Sequence, residues 1–165
     1  MGSRLRIVTI GGYGFSEAAF LDALKRAGVD TFVDIRQRRG MRGAKYSFLN
    51  SSRLQSLLAS AGIAYLHAVD LAPTTKVRDA QKEGDRALGV AKRARAELSP
   101  VFVQRYRSEI LGGLDADRLK GALRGAATIA LFCVESHPAA CHRSLAAEHL
   151  AQVFGTEQPV VHLTP

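Results

Sequence analysis

The chain has 165 residues, 47% of them hydrophobic, with two cysteines and a formal charge of +8. That length sustains one buried core, so 1–165 reads as a single domain that needs neither a disulfide framework nor a structural metal to fold. Two cysteines do not make a secreted disulfide scaffold, no apolar run approaches the roughly 18 residues of a spanning helix, and no signal-peptide core is present. The expected setting is therefore the cytoplasm, with no membrane partner. Arg6 stands where a myristoylation signal needs Ser or Thr.

Leu5 to Ile10 is a continuous, largely β-branched run closed by Gly11-Gly12, the pattern of a strand buried on both faces. Ser16 is a helix cap, Phe20, Leu21, Leu24 and Ala27 recur at helical spacing, and Gly28 is a stop. Thr31 to Ile35 is a second buried strand. It leads into the basic loop "RQRRGMRGAKYSFLN", after which Ser51 or Ser52 starts a helix carrying Leu54, Leu57 and Leu58 and ending at Gly62. Ile63 to His67 is a third strand, and strands alternating with helices imply right-handed crossovers in a parallel sheet.

Residues 70–127 read as a helical insert packed on the sheet and partly over its edge. "DLAPTTKVRD" is irregular, and helical patterns follow over Asp79 to Leu98, Pro100 to Leu111 and Asp115 to Arg124. Gly84 and Gly89 interrupt the first, each interior glycine costing about 1 kcal/mol relative to alanine. Thr128 to Cys133 returns to a buried strand. A helix over 142–154 presents Leu145, Ala146, Leu150 and Val153 inward, and Val160 to Leu163 is the last strand. The fold class is α/β, with about five mostly parallel strands and helices on both faces.

Ligands of such sheets sit outside the carboxyl ends of the strands. That rule selects Gly11 to Tyr13, Asp34 to Arg39, His67 to Asp70 and Cys133 to Arg143. No acidic residue occurs from Ile35 to Val69, where Arg36, Arg38, Arg39, Arg42, Lys45 and Arg53 supply six positive charges. The expected partner is an anionic ligand, nucleotide or nucleic acid; nothing in the sequence sets an oligomeric state.

Four readings fit "CVESHPAACHRSLAAEHL", residues 133–150, which holds both cysteines. Cys133, His137, Cys141 and His142 are zinc or iron donors, although no C-x2-C knuckle or zinc-deaminase spacing is present and the sequence requires no cofactor. Cys141, at a helix start beside cationic groups, is a candidate nucleophile. The phosphatase spacing fails, because Ala139 and Ala147 stand where the arginine belongs, and Cys133 at a strand end also reads as a small hydrophobe. Third, the helix N-terminus with Arg143 offers an anion cradle, His142 a proton carrier and Glu135 an orienter or base, or simply an ion-pair partner for Arg143.

In that third reading Gly11, Gly12, Tyr13, Asp34, Arg36 and Arg38 complete the ligand site, with Tyr13, Tyr46 or Phe48 stacking on a base. Gly11-Gly12-Tyr13-Gly14 is neither the dinucleotide fingerprint nor a P-loop. The fourth reading is a non-catalytic docking surface for nucleic acid or an acidic protein, in which the Cys-His-Arg turn is structural.

The residues "TIG", "VDIR", Phe48, "GIAY", Phe102, Tyr106, "LFCVESHPAACHRSLAAEHL" and "VVHL" follow one another in an order that resembles the domain-of-unknown-function 488 family. The resemblance implies an α/β fold and a site built from Asp34, Arg36, Cys133, Glu135, Cys141, His142 and Arg143. It implies no reaction. Many relatives look like "TIGHS" where this chain has "TIGGY", and Leu-Gly-Gly where it has Leu71-Ala72-Pro73; both departures fall at the inferred cleft. The reading as a whole requires that the glycine pair and the Cys-His-Arg turn line a common pocket, with Cys141, His142 and Glu135 as its reacting groups.

Overall fold

A computed structural model of the chain describes residues 4–89 and 97–165. Five parallel strands form one sheet in the order β3-β2-β4-β1-β5. They are β1 Arg6–Ile10, β2 Thr31–Asp34, β3 Ala64–His67, β4 Thr128–Phe132 and β5 Val161–Leu163. Each lies within the run that its apolar pattern predicts. Register then fixes the rim: Ile10 and Asp34 both align with Phe132, so Gly11, Ile35 and Cys133 leave the sheet side by side.

Alternation along the strands builds two cores. Val8, Ile10, Phe32, Ala130 and Phe132 face helices α1 (Glu17–Arg26) and α2 (Ser51–Ser60), which contribute Phe20, Leu24, Leu54 and Leu58. Ile7, Val33, Ile35, Ile129, Leu131 and Cys133 face the other layer. That layer holds α3 (Thr75–Leu88), α4 (Pro100–Arg105, continued as a π-helical stretch Tyr106–Leu111), α5 (Ala116–Ala122) and α6 (His142–Phe154). The connections from β1 and β4 therefore run to opposite faces, and the rim between them is the kind of divide where α/β sheets receive ligands.

Caps explain most helix starts. Ser16 Oγ accepts from the Ala19 amide, Ser99 Oγ from Phe102 and an Asp115 carboxylate oxygen from Arg118. Helix α3 begins four residues before the expected Asp79, because the Thr74 hydroxyl accepts from the Val77 amide and caps it directly after Pro73. Gly84 stays inside this helix and Gly89, at φ 66°, ends it. The remainder of the helix expected up to Leu98 falls largely on 90–96, outside the described residues.

Helix α6 has the expected span with a different inward face. His142, Arg143, Ala146, Ala147, Leu150 and Phe154 are buried, whereas Val153 is 48% exposed. Arginine and histidine on the core side shift the buried stripe away from the purely apolar one. Among the described residues no helix is long and apolar enough to cross a membrane.

Candidate functional site

Arg36 is the first side chain of the rim. It is 4% exposed and is clamped in bidentate fashion by the fully buried Asp34, with Nε donating to Oδ1 at 3.0 Å and Nη2 to Oδ2 at 2.8 Å. The Arg36 amide donates to the same carboxylate, and so does the Tyr65 hydroxyl at 2.7 Å. A planar guanidinium fork suits this pairing, which a lysine would not reproduce. The fork also lies over the Phe132 ring, 4.8 Å from its centre. Among the described residues Nη1 has no hydrogen-bond partner, and Arg36 lines a cleft of about 320 Å3. A buried donor on a charged group left without an acceptor is costly.

The cleft lies between the strand rim and α3. Tyr13, Arg38 and Glu135 are on its rim side, and Arg78, Gln81 and Lys82 of α3 are opposite. Gln81 ties that wall together, its Nε2 donating to Asp85 and its Oε1 accepting from the Ser99 amide. Cys133, Cys141 and His142 form the third part of the lining. The α3 residues were not among the sequence candidates. Their signal was the lysine and arginine spacing beside the apolar stripe, which in a sequence is indistinguishable from a solvated helix face.

Strand end and helix start bring the two thiols together. Cys133 Sγ, Cys141 Sγ and a ring nitrogen of His142 all lie within 4.8 Å of one another. Cys141 Sγ is 3.9 Å from His142 Nδ1, and the other ring nitrogen, Nε2, faces the Ile35 carbonyl at 3.1 Å. That carbonyl can only accept, so it selects the tautomer protonated at Nε2 and leaves the Nδ1 lone pair toward the sulfur. Burial and the ring of Tyr106, 5.5 Å away, hold the imidazole in place. The Tyr106 hydroxyl donates to Leu71 O at 2.7 Å, and burial raises its own ionisation well above the ordinary range.

The thiols share a proton unequally. Burial opposes ionisation of Cys141, but the hydrogen bond from Cys133, the adjacent His142 ring and the charge of Arg143 outweigh it and hold this thiol well below an ordinary one. Donating that hydrogen bond pushes Cys133 up, and burial adds to the effect. Such a pair offers a thiolate for nucleophilic attack and two soft donors for a metal ion.

Arg143 is placed differently from its expected role. It is wholly buried. Its Nη1 donates to the Glu135 carbonyl in a short hydrogen bond, Nη2 to the Ser136 carbonyl at 3.3 Å, and Nε to Thr9 Oγ1 at 3.4 Å. The guanidinium therefore braces the 134–136 loop from beneath and reaches the thiols through its field.

The glycine pair serves the same bracing. A Cβ on Gly11 would come within 2.1 Å of the Glu135 carbonyl oxygen, and one on Gly12 within 2.4 Å of Leu49 Cδ1. The amides of Gly12 and Tyr13 both donate to Val134 O. The two turns do meet, but the donors of both are taken up by the carbonyls of Val134, Glu135 and Ser136, so they do not form the common pocket that the reading requires. Tyr13 reaches the cleft, whereas Gly11, Gly12 and Arg143 do not line it.

Tyr46 and Phe48 are core residues, and Tyr46 accepts from the Gly14 amide with its hydroxyl. His137 is exposed and outside the thiol-imidazole group. Arg38, Arg42 and Lys45 are exposed on the basic loop, while Arg53 pairs with Glu17 at 3.3 Å.

Comparison with known proteins adds one match. A family described as "Domain of unknown function DUF488" matches residues 16–150. No curated protein and no solved structure matches the chain.

Proposed function

Because the chain belongs to the DUF488 family, whose description assigns no activity, we propose its function from its own cleft: it binds a small phosphate-bearing ligand, such as a nucleotide. Arg36 is the anchoring donor, and Cys141 and His142 are the groups placed to act on the ligand. The observation that carries this reading is the buried, unpartnered Nη1 of Arg36, on a side chain that helps line a cleft where Arg38, Arg78 and Lys82 outnumber Asp85 and Glu135. The bidentate Asp34 clamp fixes the fork's orientation in advance, so ligand binding need not order the side chain. Glu135 on the cleft wall suits a ribose hydroxyl or a proton to be moved.

The test is calorimetric titration with inorganic phosphate and with AMP. Arg36→Lys retains a charge beside Asp34 and removes the free donor. A charge-assisted hydrogen bond is worth about 1.5–3 kcal/mol, so the variant binds roughly tenfold or more weakly. Equal affinities for the two proteins contradict the reading.

The exposed basic loop favours a second reading, a sequence-independent nucleic-acid surface. There the affinity for a single-stranded oligonucleotide falls steeply with salt and depends on Arg42 and Lys45 more than on Arg36.

A further inference from the structure

Three donors of the cleft lining have the chemistry of a soft-metal site. We infer that Cys133, Cys141 and His142 bind one zinc ion, with a fourth coordination position facing the cleft and open to water or to the ligand's anionic oxygen. The last clause rests on the cleft reading above; the three protein donors do not.

Tetrahedral zinc with bonds of about 2.3 Å to sulfur and 2.0 Å to nitrogen sets neighbouring donors roughly 3.5–3.8 Å apart. Cys141 Sγ and His142 Nδ1 stand at 3.9 Å, and no pair in the group exceeds 4.8 Å. Small side-chain adjustments therefore close the site without moving the strand or the helix. The orientation of the imidazole is already set. Its Nε2 faces the Ile35 carbonyl, and a metal-bound histidine characteristically donates its second N–H to such an acceptor.

Ligand identity selects the ion. Two sulfurs and one nitrogen disfavour magnesium and calcium, which take oxygen. Two thiolates also neutralise the ion's double charge, so the buried Arg143 beside them meets no net repulsion. The number of ligands selects the class. Two cysteines and one histidine with a free position match catalytic zinc, where structural sites close with a fourth protein ligand. All three residues line the same cleft as Arg36 and Glu135, and His137, the fourth zinc donor considered from the sequence, is exposed. The fourth position thus opens where the anion is expected.

The experiment uses the full chain without a polyhistidine tag, stripped with chelator under reducing conditions and titrated with cobalt(II) as a spectroscopic probe for zinc. The expected result is one equivalent of cobalt, visible bands of a tetrahedral ion and a sulfur-to-cobalt charge-transfer band, all displaced by zinc. Cys141→Ser and Cys133→Ser each weaken cobalt binding at least 100-fold. Should either variant fail to fold, native protein gives the answer: bound zinc protects both thiols from a disulfide reagent. A native protein that binds less than about a tenth of an equivalent, or whose thiols react equally fast with and without zinc, overturns the metal site. Phosphate titration of the metal-free protein reports separately on the anion reading, so the two fail independently.

Discussion

Gly11 and Arg143 act as one unit: the missing side chain admits the Glu135 carbonyl, and the guanidinium holds it there. Gly11→Ala sets a carbon 2.1 Å from that oxygen, and overpacking against backbone cannot relax cheaply. Urea unfolding of this variant should show a loss of about 3 kcal/mol or more; a change within 0.5 kcal/mol contradicts the bracing role. The same network extends to β5. Thr9 Oγ1 accepts from Arg143 and lies 2.6 Å from His162 Nδ1, to which its hydroxyl can donate only when the imidazole is neutral. Burial lowers the His162 pKa from its ordinary 6.5, and the charge of Arg143 lowers it further against the opposing pull of Glu148. Between the lowered value and 6.5 the unfolded chain binds more protons than the folded one, so stability falls as the pH drops through that window. His162→Gln, which keeps a hydrogen-bond partner for Thr9 and cannot titrate, should lose less stability between pH 7.5 and 5 in urea melts. Parallel losses in the two proteins exclude His162 as the cause.

At the scale of elements, α3 shows what patterning can and cannot reveal. Gly84 inside this helix invites a stabilising alanine worth about 1 kcal/mol, but a Cβ there would approach Ser99 Cβ to 2.8 Å. Ser99 caps α4 and donates its amide to Gln81, so it cannot easily yield. Thermal unfolding should therefore find Gly84→Ala less stable than the parent; a gain contradicts the close α3–α4 contact. The strands were legible because short, largely apolar runs bounded by turn residues have few alternatives, and the parallel order followed from their alternation with helices. The start of α3 was not, since Pro73 and two threonines look like loop until one hydroxyl is seen capping Val77. The inward face of α6 was misplaced for a related reason: apolar periodicity points to Val153, whereas the sheet rim takes His142 and Arg143 inside because carbonyls and Thr9 satisfy them. The rim itself could be located from the strand ends. Which of its two arginines lines the cleft could not, as Arg36 and Arg143 differ only in the acceptors that tertiary structure supplies.

For the molecule as a whole, strand register gathers the groups that carry chemistry. Aligning Ile10, Phe132 and Asp34 brings three loops to one rim, and the insert between β3 and β4 supplies the facing wall through α3. The outcome is a cleft with a fixed cationic donor at one side and a thiol–thiol–imidazole group at another, joined by a braced loop. The claim with most consequence is that an anion seats on Arg36. A crystal structure of the protein grown with AMP tests it most directly. The account predicts a phosphate oxygen within hydrogen-bond distance of Arg36 Nη1. Phosphate held by Arg42 or Lys45 on the outer loop, with Nη1 untouched, would contradict it.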